Sequence, residues 1–576
     1  MFTNKQISLL HNKESKEFNS FIREGLKAST ETKSGNGALK YSTTGNPFID
    51  NFASISRFKE PRSYADIAKD METLWSINPL LTVKLAVYIR IITRKTIVHM
   101  DSNSEILDVQ KGQGLKHEGI MRFMWLAINH PKTFKANIPY FIAAGSWKDI
   151  FKMLSLDLQY NGWSNRQLDW NFLYKVICAG LNNPNTTSLV RKYLPTIRTN
   201  SKSVTIESQA NTLIGRWIAS RLFTKDGNSN YYIYNKYRHL KSDGEAHDWQ
   251  QKISKQLYES INFDTIAGKA LSLLVGSKFL ENHNLTEKYS KWILSKPVAK
   301  FTGFVFELFK PLDNHQTLKD YQKQTIQAQF NKLVETGKEN IKSKLLVVRD
   351  ISNSMSGKAM GTNMSSYGIA KAMALYFSEF LEGSFKNTYA IFSDTCKLET
   401  WKGDSVCDKW NNDRSYEYGS TNFLSIANLL VNIKNKGVLE SEFPTGILAL
   451  SDGEFNITDK DTTNFNRFRE MLKEGGFSED YVNNFKLILW DLPNYYYYNG
   501  SAPKFEDFAD APNNFYLSGY DPSAISFILG NRDFKRTPKN AEELFRAAMN
   551  QELLNKISIV ITNKVSTNNK YKNKLK

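Results

Sequence analysis

Residues 343–357 read Ser343-Lys344-Leu345-Leu346-Val347-Val348-Arg349-Asp350-Ile351-Ser352-Asn353-Ser354-Met355-Ser356-Gly357, a short apolar run that opens into a loop rich in side-chain oxygens. The run predicts a strand, and the helical spacing that follows predicts a helix over 365–381. Downstream the rhythm repeats. Strands are predicted at 388–392, 397–401, 446–450, 485–490 and 514–517, with helices at 422–434, 464–473 and 522–529. Strands that alternate with helices through short connections make a parallel sheet covered on both faces. The segment 336–530 is therefore expected to be a doubly wound, Rossmann-like α/β domain.

In such a sheet, ligands sit beyond the carboxyl ends of the strands. Asp350, Ser352 and Ser354 alternate in the loop after the first strand. Thr421 (in Gly419-Ser420-Thr421-Asn422) and Asp452 (in Leu450-Ser451-Asp452-Gly453) fall at later strand ends or helix starts. Two carboxylates and three hydroxyls form an all-oxygen set that suits a hard divalent ion, Mg²⁺ above all. No histidine follows His315, so an imidazole-based zinc or iron site in this domain is excluded. The competing reading is that the hydroxyls only cap helices and loops.

Upstream, apolar residues recur at three and four spacings from about 62 to 335, and strand-like alternation is almost absent. Helices are expected over 64–74, 81–92, 120–129, 140–156, 170–181, 209–223, 249–261, 269–275, 288–294 and 318–333. Successive helices of this length fit a helical-repeat, HEAT-like domain able to close into a ring, although the sequence shows no clean period. The full reading is an α + α/β multidomain chain. It comprises a flexible arm over 1–50 (Gly, Ser and Thr rich across 30–46, with a short helical pattern near 15–26), a helical domain over 51–335, the α/β domain over 336–530, and a C-terminal helix with a basic tail over 531–576.

Charge divides the chain the same way. The net +18 is unevenly spread: residues 51–335 carry 39 basic and 24 acidic groups (net +15), whereas 336–530 carry 19 and 25 (net −6). A strongly basic domain attracts polyanions, nucleic acid most commonly. Three segments offer contacts. Residues 230–241 (NYYIYNKYRHLK) interleave tyrosines, including Tyr231 and Tyr234, with Lys236, Arg238 and Lys241, placing base-stacking rings beside phosphate-neutralising charge. Arg191, Lys192, Arg198 and Lys202 make a second run, and Arg216 and Arg221 lie on the 209–223 helix. Packing tyrosines and a solvated helix face are the plain alternatives.

The Asp-x-Ser-x-Ser, Thr, Asp series on this fold resembles the metal-ion-dependent adhesion site of von Willebrand factor A domains. The resemblance implies that Ser352 and Ser354 ligate the ion directly and Thr421 directly or through water. It implies that Asp350 and Asp452 act largely through water, and that an open position takes an acidic group from a partner. A basic helical domain followed by an A-type domain also resembles the Ro autoantigen family, built on the TROVE module. That likeness rests on 134–156 (FKANIPYFIAAGSWKDIFKMLSL), with its Gly-Ser-Trp-Lys-Asp corner, and on 209–223 (QANTLIGRWIASRLF). Residues 485–493 (FKLILWDLP) and 515–529 (FYLSGYDPSAISFIL) resemble a related, largely uncharacterised TROVE-like family of plants, bacteria, large DNA viruses and phages. The resemblance implies a ribonucleoprotein component that binds small or single-stranded RNA. The alternative is a protein-interaction or virion scaffold module that grips an acidic partner residue through the metal.

Other classes are set aside. Hydrophobic residues at 41% and charged residues at 23% are ordinary globular usage. Cys178, Cys396 and Cys407 lack metal-ligand spacing and are too few for a disulfide scaffold. The most apolar stretch, 80–100, is interrupted by Lys84, Arg90, Arg94 and Lys95, and the N-terminus lacks an apolar signal core. No membrane association is expected, and a cytoplasmic location is, whether a host's cytoplasm or a virion that packages the protein. No enzymatic activity is expected either, because the chain has no P-loop, no Asp-x-Asp phosphoryl acceptor and no general base beside the metal oxygens.

Overall fold

The computed structural model describes residues 30–34, 36–54, 62–198, 205–224, 229–243, 248–301, 303–338, 344–359, 362–415, 419–492, 505–507, 510–517 and 538–560. The segments predicted as helix at 15–26 and 522–529, Lys202 and the basic tail over 564–576 lie outside the described residues.

Ten strands are described: β1 (Glu31–Lys33), β2 (Leu39–Tyr41), β3 (Arg94–Met100), β4 (Asn103–Gln110), β5 (Leu345–Asp350), β6 (Thr388–Phe392), β7 (Cys396–Thr400), β8 (Gly446–Ser451), β9 (Lys486–Asp491) and β10 (Asn514–Leu517). The last six form one sheet in the order β10-β9-β8-β5-β6-β7, parallel except for the β6–β7 edge pair. Every residue of β5, β6, β8 and β10 is buried, which is why these strands read as unbroken apolar runs rather than alternating ones. Arg349 and Asp350, at the end of β5, are the exceptions in that strand. The fully buried Arg349 guanidinium pairs with Asp413 at 2.7 Å and lies about equally far from the Tyr367 and Tyr389 rings, at 5.0 and 5.3 Å. Burial alone would raise the Asp413 carboxyl, but Arg349 and Lys371 outweigh it and hold it down at about 2. The strand order reverses direction at β5, so the loops after β5 and β8 flank a crevice at the carboxyl edge.

The 62–338 part is helix-rich as its spacing predicts, with three differences. The helix expected over 140–156 is two, Pro131–Ala144 and Trp147–Asn161. They turn at Gly145, where a Cβ would come within 1.9 Å of an Asp149 carboxylate oxygen. That carboxylate accepts from Ser146 N–H at 3.1 Å and pairs with buried Arg90 at 2.8 Å, locking the corner. Second, residues 94–110 form an antiparallel hairpin rather than continuing the helical pattern. Its exposed face carries Ile97, Ile106 and Val109, so alternation is masked by apolar residues on both sides. Third, residues 230–242 are helical (Asn230–Ser242).

The expectation of a flexible arm over 1–50 is corrected for its described part. β1 and β2 form a hairpin, and Pro47–Ser54 is a helix. The hairpin is sewn to the sheet domain through Gly37 and Asn456, Leu39 and Thr463, and Tyr41 and Phe505. Its buried Lys40 ammonium pairs with buried Glu506 at 3.3 Å and donates to the Gly453 carbonyl. These partners lie more than four hundred residues away, out of reach of any local sequence pattern. The helix Ala541–Met549 was anticipated, but not its destination. Gln551 exchanges hydrogen bonds with the Lys111 backbone at 2.6 and 2.8 Å, and Ser558 does so with Asn137 at 3.0 and 2.7 Å. One continuous apolar core thus runs from Ala38 to Ile557, with a smaller separate one among residues 261–328.

Burial outweighs the Lys40 charge and raises the Glu506 carboxyl above its usual range, although backbone N–H groups of Phe465 and Asn464 also favour the charged form. Lys40→Met is expected to destabilise the protein by about 3–5 kcal/mol by stranding Glu506. The double variant Lys40→Met with Glu506→Gln should recover much of that loss, as read from urea unfolding midpoints.

Candidate metal centre and nucleic-acid interface

Asp350 ends the central strand and is wholly buried. One of its carboxylate oxygens accepts from the Ser352 N–H at 2.8 Å, and the other accepts from the Ser451 hydroxyl at 2.5 Å. Ser451 is the last residue of β8 and sits beside Asp350 because β5 and β8 pair in parallel. Sequence reading missed it, although it directly precedes Asp452. The Ser352 and Ser354 hydroxyls lie 3.0 Å apart, at the start of a short 3₁₀ turn over Asn353–Ser356. Asp452, 5% exposed, accepts from the Glu454 N–H at 3.3 Å. Thr421 is 2% exposed, and its backbone exchanges two hydrogen bonds with Asn456, through the side chain at 3.2 Å and the backbone at 2.9 Å.

Asp350, Ser352 and Ser354 therefore meet at one strand end, Asp452 lies within electrostatic reach of Asp350, and Asn456 ties the Thr421 loop to the Asp452 loop. Among the described residues no three His, Cys, Asp or Glu side chains gather as a metal cluster; this set holds two carboxylates and otherwise hydroxyls. Burial first, and the neighbouring Asp452 charge second, push the Asp350 carboxyl up to about 7. Two buried carboxylates that repel each other, next to paired hydroxyls and with no side-chain cation bonded to Asp350 among the described residues, are a donor set that a hard divalent cation would relieve.

The Asp452–Asn456 loop is also clamped from the N-terminal hairpin. Asn36 Nδ2 donates to the Glu454 carbonyl at 2.6 Å and the Ser34 hydroxyl to the Phe455 carbonyl at 2.6 Å, while Lys40 holds the Gly453 carbonyl. Gly453 adopts φ +73, the left-handed turn that lets the chain leave β8 sharply. The free thiols need no role here. Burial raises both Cys396 and Cys407 to about 12, so neither is a ready thiolate.

The predicted nucleic-acid residues divide in use. Lys241 is committed to structure, capping the 187–193 helix by donating to the Lys192 and Leu194 carbonyls at 3.1 and 2.5 Å. Tyr237, in the same segment, is buried with its hydroxyl on the Pro195 carbonyl at 2.8 Å. Arg238 donates to Asn235 at 2.8 Å, and Arg191 and Lys192 are half-buried at the end of their helix. Arg198, Arg216 and Arg221 are exposed. Tyr231 is 76% exposed, whereas Tyr234 is half-buried under Arg216, 5.7 Å from its ring. Lys236 sits 4.7 Å from the Tyr232 ring. The structure thus brings Arg216, Tyr234 and the exposed tyrosines of Asn230–Ser242 together on two adjacent helices, and it takes Lys241 out of the set.

Comparison with known proteins gives two family-model matches, each described as a domain of unknown function. Residues 34–176 match DUF2828 and residues 344–569 match DUF7788. The first match begins in the β1–β2 hairpin. The second runs from β5 through the C-terminal segment that packs back on the helices, and it contains all five predicted metal residues. The basic cluster at 191–241 lies between the two. No curated protein matches the chain.

In a chelator, the folded protein keeps a proton on Asp350 that the unfolded chain, with an ordinary carboxyl near about 4, releases. Stability should therefore be greatest at low pH on this account and fall as pH rises from about 4 to about 7. Asp350→Asn is expected to flatten that fall, measured as urea midpoints across the pH range.

Proposed function

We propose that the protein is an RNA-binding ribonucleoprotein component. The basic helical part holds small or single-stranded RNA, and the sheet domain acts as a von Willebrand factor A-like module that holds Mg²⁺ or a similar divalent cation. The observation that carries the metal half is the buried Asp350 carboxylate, fixed between Ser352 and Ser451 and facing Asp452 beside two hydroxyls 3.0 Å apart. Ser352, Ser354 and Thr421 would hold the ion from their hydroxyls, with Asp350 and Asp452 behind them. The ion would supply a Lewis-acidic position for a partner's carboxylate. The sheet order, with β5 central and one antiparallel edge, supports the A-like reading.

RNA binding is supported by the charge of the helical part and by arginines that lie against aromatic rings rather than carboxylates. Helices that pack on their sequence neighbours, such as Lys116–Asn129 on Pro131–Ala144, support a HEAT-like arrangement, and closure into a ring belongs to the same proposal. The second reading is an interaction module that grips an acidic partner without RNA. It is favoured by the net −6 of residues 336–530. No enzymatic role is proposed. Among the described residues no helix is long and apolar enough to cross a membrane.

RNA affinity should fall linearly on a log–log plot against salt, with a slope set by the number of phosphates neutralised. Mg²⁺ should raise the melting temperature of the wild type. Asp350→Ala should lose the Mg²⁺ response and keep the RNA affinity, as read by thermal melting and fluorescence anisotropy. RNA affinity indifferent to salt would contradict the first half, and an unchanged Mg²⁺ response in Asp350→Ala the second.

A further inference from the structure

A ladder of rings and guanidinium groups crosses the loop 162–169 and the helices Trp170–Asn182 and Ile206–Phe223. Arg166 lies 4.2 Å from the Trp163 ring and 4.8 Å from Trp170. Trp170 meets Trp217 edge-on at 4.9 Å, and Trp217 meets Tyr174 at 5.6 Å. Arg221 covers both, 4.9 Å from Trp217 and 5.4 Å from Tyr174. Only Trp170 is buried; Trp163 is 42% exposed, Trp217 and Tyr174 are half-exposed, and Arg221 faces solvent.

Packing alone explains Trp170 but not its neighbours. Trp170 donates its indole N–H to buried Asp157 at 2.7 Å. The same carboxylate accepts from the Gln167 and Leu168 N–H groups at 3.0 and 3.2 Å, so the loop carrying Trp163 and Arg166 is pinned in place. Asp157 is spent on this task and pairs with neither arginine. Among the described residues Arg166 and Arg221 have no carboxylate partner and their N–H groups make no hydrogen bond. Each guanidinium can offer up to five donors while its plane rests on a ring. Surface cations without counter-charges, parked on partly exposed indole and phenol faces in a net +15 part of the chain, match the chemistry of a nucleic-acid strand: π-faces for bases and free donors for phosphates.

We propose that this ladder is a stacking platform for a single-stranded RNA segment, with a base on Trp163 and the phosphate backbone on Arg166 and Arg221. The proposal rests on the RNA reading above and adds to it the surface and the strand state of the ligand. A rigid loop and an A-form duplex, whose bases are already stacked on one another, cannot make this contact, so the platform selects unpaired strand.

The test uses the full chain, a fluorescein-labelled oligouridylate and a blunt RNA duplex of equal length, with anisotropy as the readout. Trp163→Ala should weaken oligouridylate binding about tenfold or more, Trp163→Phe should keep most of it, and neither should change duplex binding. Arg221→Gln should weaken the oligouridylate and lower the salt slope. Oligouridylate should quench wild-type tryptophan emission, and less so in Trp163→Phe, which guards against misfolding of the alanine variant. Wild-type binding of oligouridylate that Trp163→Ala and Arg221→Gln leave unchanged would overturn the platform and leave the RNA reading standing. Equal losses for duplex and single strand would overturn it as mere charge attraction. A wild type that ignores both RNAs at low salt but binds polyglutamate would overturn both readings.

Discussion

The burial of the Asp350 carboxyl is the constraint around which the sheet domain is arranged. Placing a carboxylate at the end of a central, fully covered strand costs several kcal/mol unless it is compensated, and among the described residues its hydrogen bonds come from Ser352 and from the Ser451 hydroxyl. Ser352 opens the loop after β5 and Ser451 ends β8, and the two meet because β5 and β8 are parallel neighbours at the point where the sheet reverses direction. The neighbouring Asp452 makes the burial worse rather than better. Two buried carboxylates this close are what a divalent cation, bound as proposed, would relieve.

The β1–β2 hairpin and the Ala541–Met549 helix tie distant parts of the sequence to this domain. The β1–β2 hairpin reaches across to hold the carbonyls of Gly453, Glu454 and Phe455, the loop that presents Asp452. The Ala541–Met549 helix lies against the Pro79–Arg90 helix and β10 at once. The helical and sheet parts therefore share a core. Phe309 stacked on Trp410 at 4.9 Å and Asp313 accepting from Ser365 at the start of the Ser366–Ser378 helix add to that connection.

The sheet was legible because its strands are buried on both faces, so continuous apolar runs and short connections mark them with little ambiguity; β6 and β10 match their predicted bounds. The Asp350, Ser352 and Ser354 grouping was legible because alternating residues in one loop are local. Ser451 was not, since its role depends on strand pairing across a hundred residues. The hairpins failed for related reasons. β1–β2 is stabilised by contacts with residues beyond 450, and β3–β4 carries apolar residues on both faces, which erases the period of two. The tyrosine-rich 230–242 segment was read for its ring and charge content, yet its helical period is what decides which side chains are spent. Ile233 and Tyr237 go inward, and Tyr231 and Tyr232 remain outside. The Trp163–Arg221 ladder escaped notice because its members come from three separate segments that only folding brings together.

The central claim is that the helical part carries RNA. It is tested most directly by purifying the protein without nuclease, recording the ratio of absorbance at 260 and 280 nm, and mapping ultraviolet crosslinks to peptides. The account predicts bound RNA that is lost at moderate salt, with crosslinks confined to the basic helical segment and centred on 160–242. Protein that emerges free of nucleic acid, and that takes up no added RNA at low salt, would contradict it.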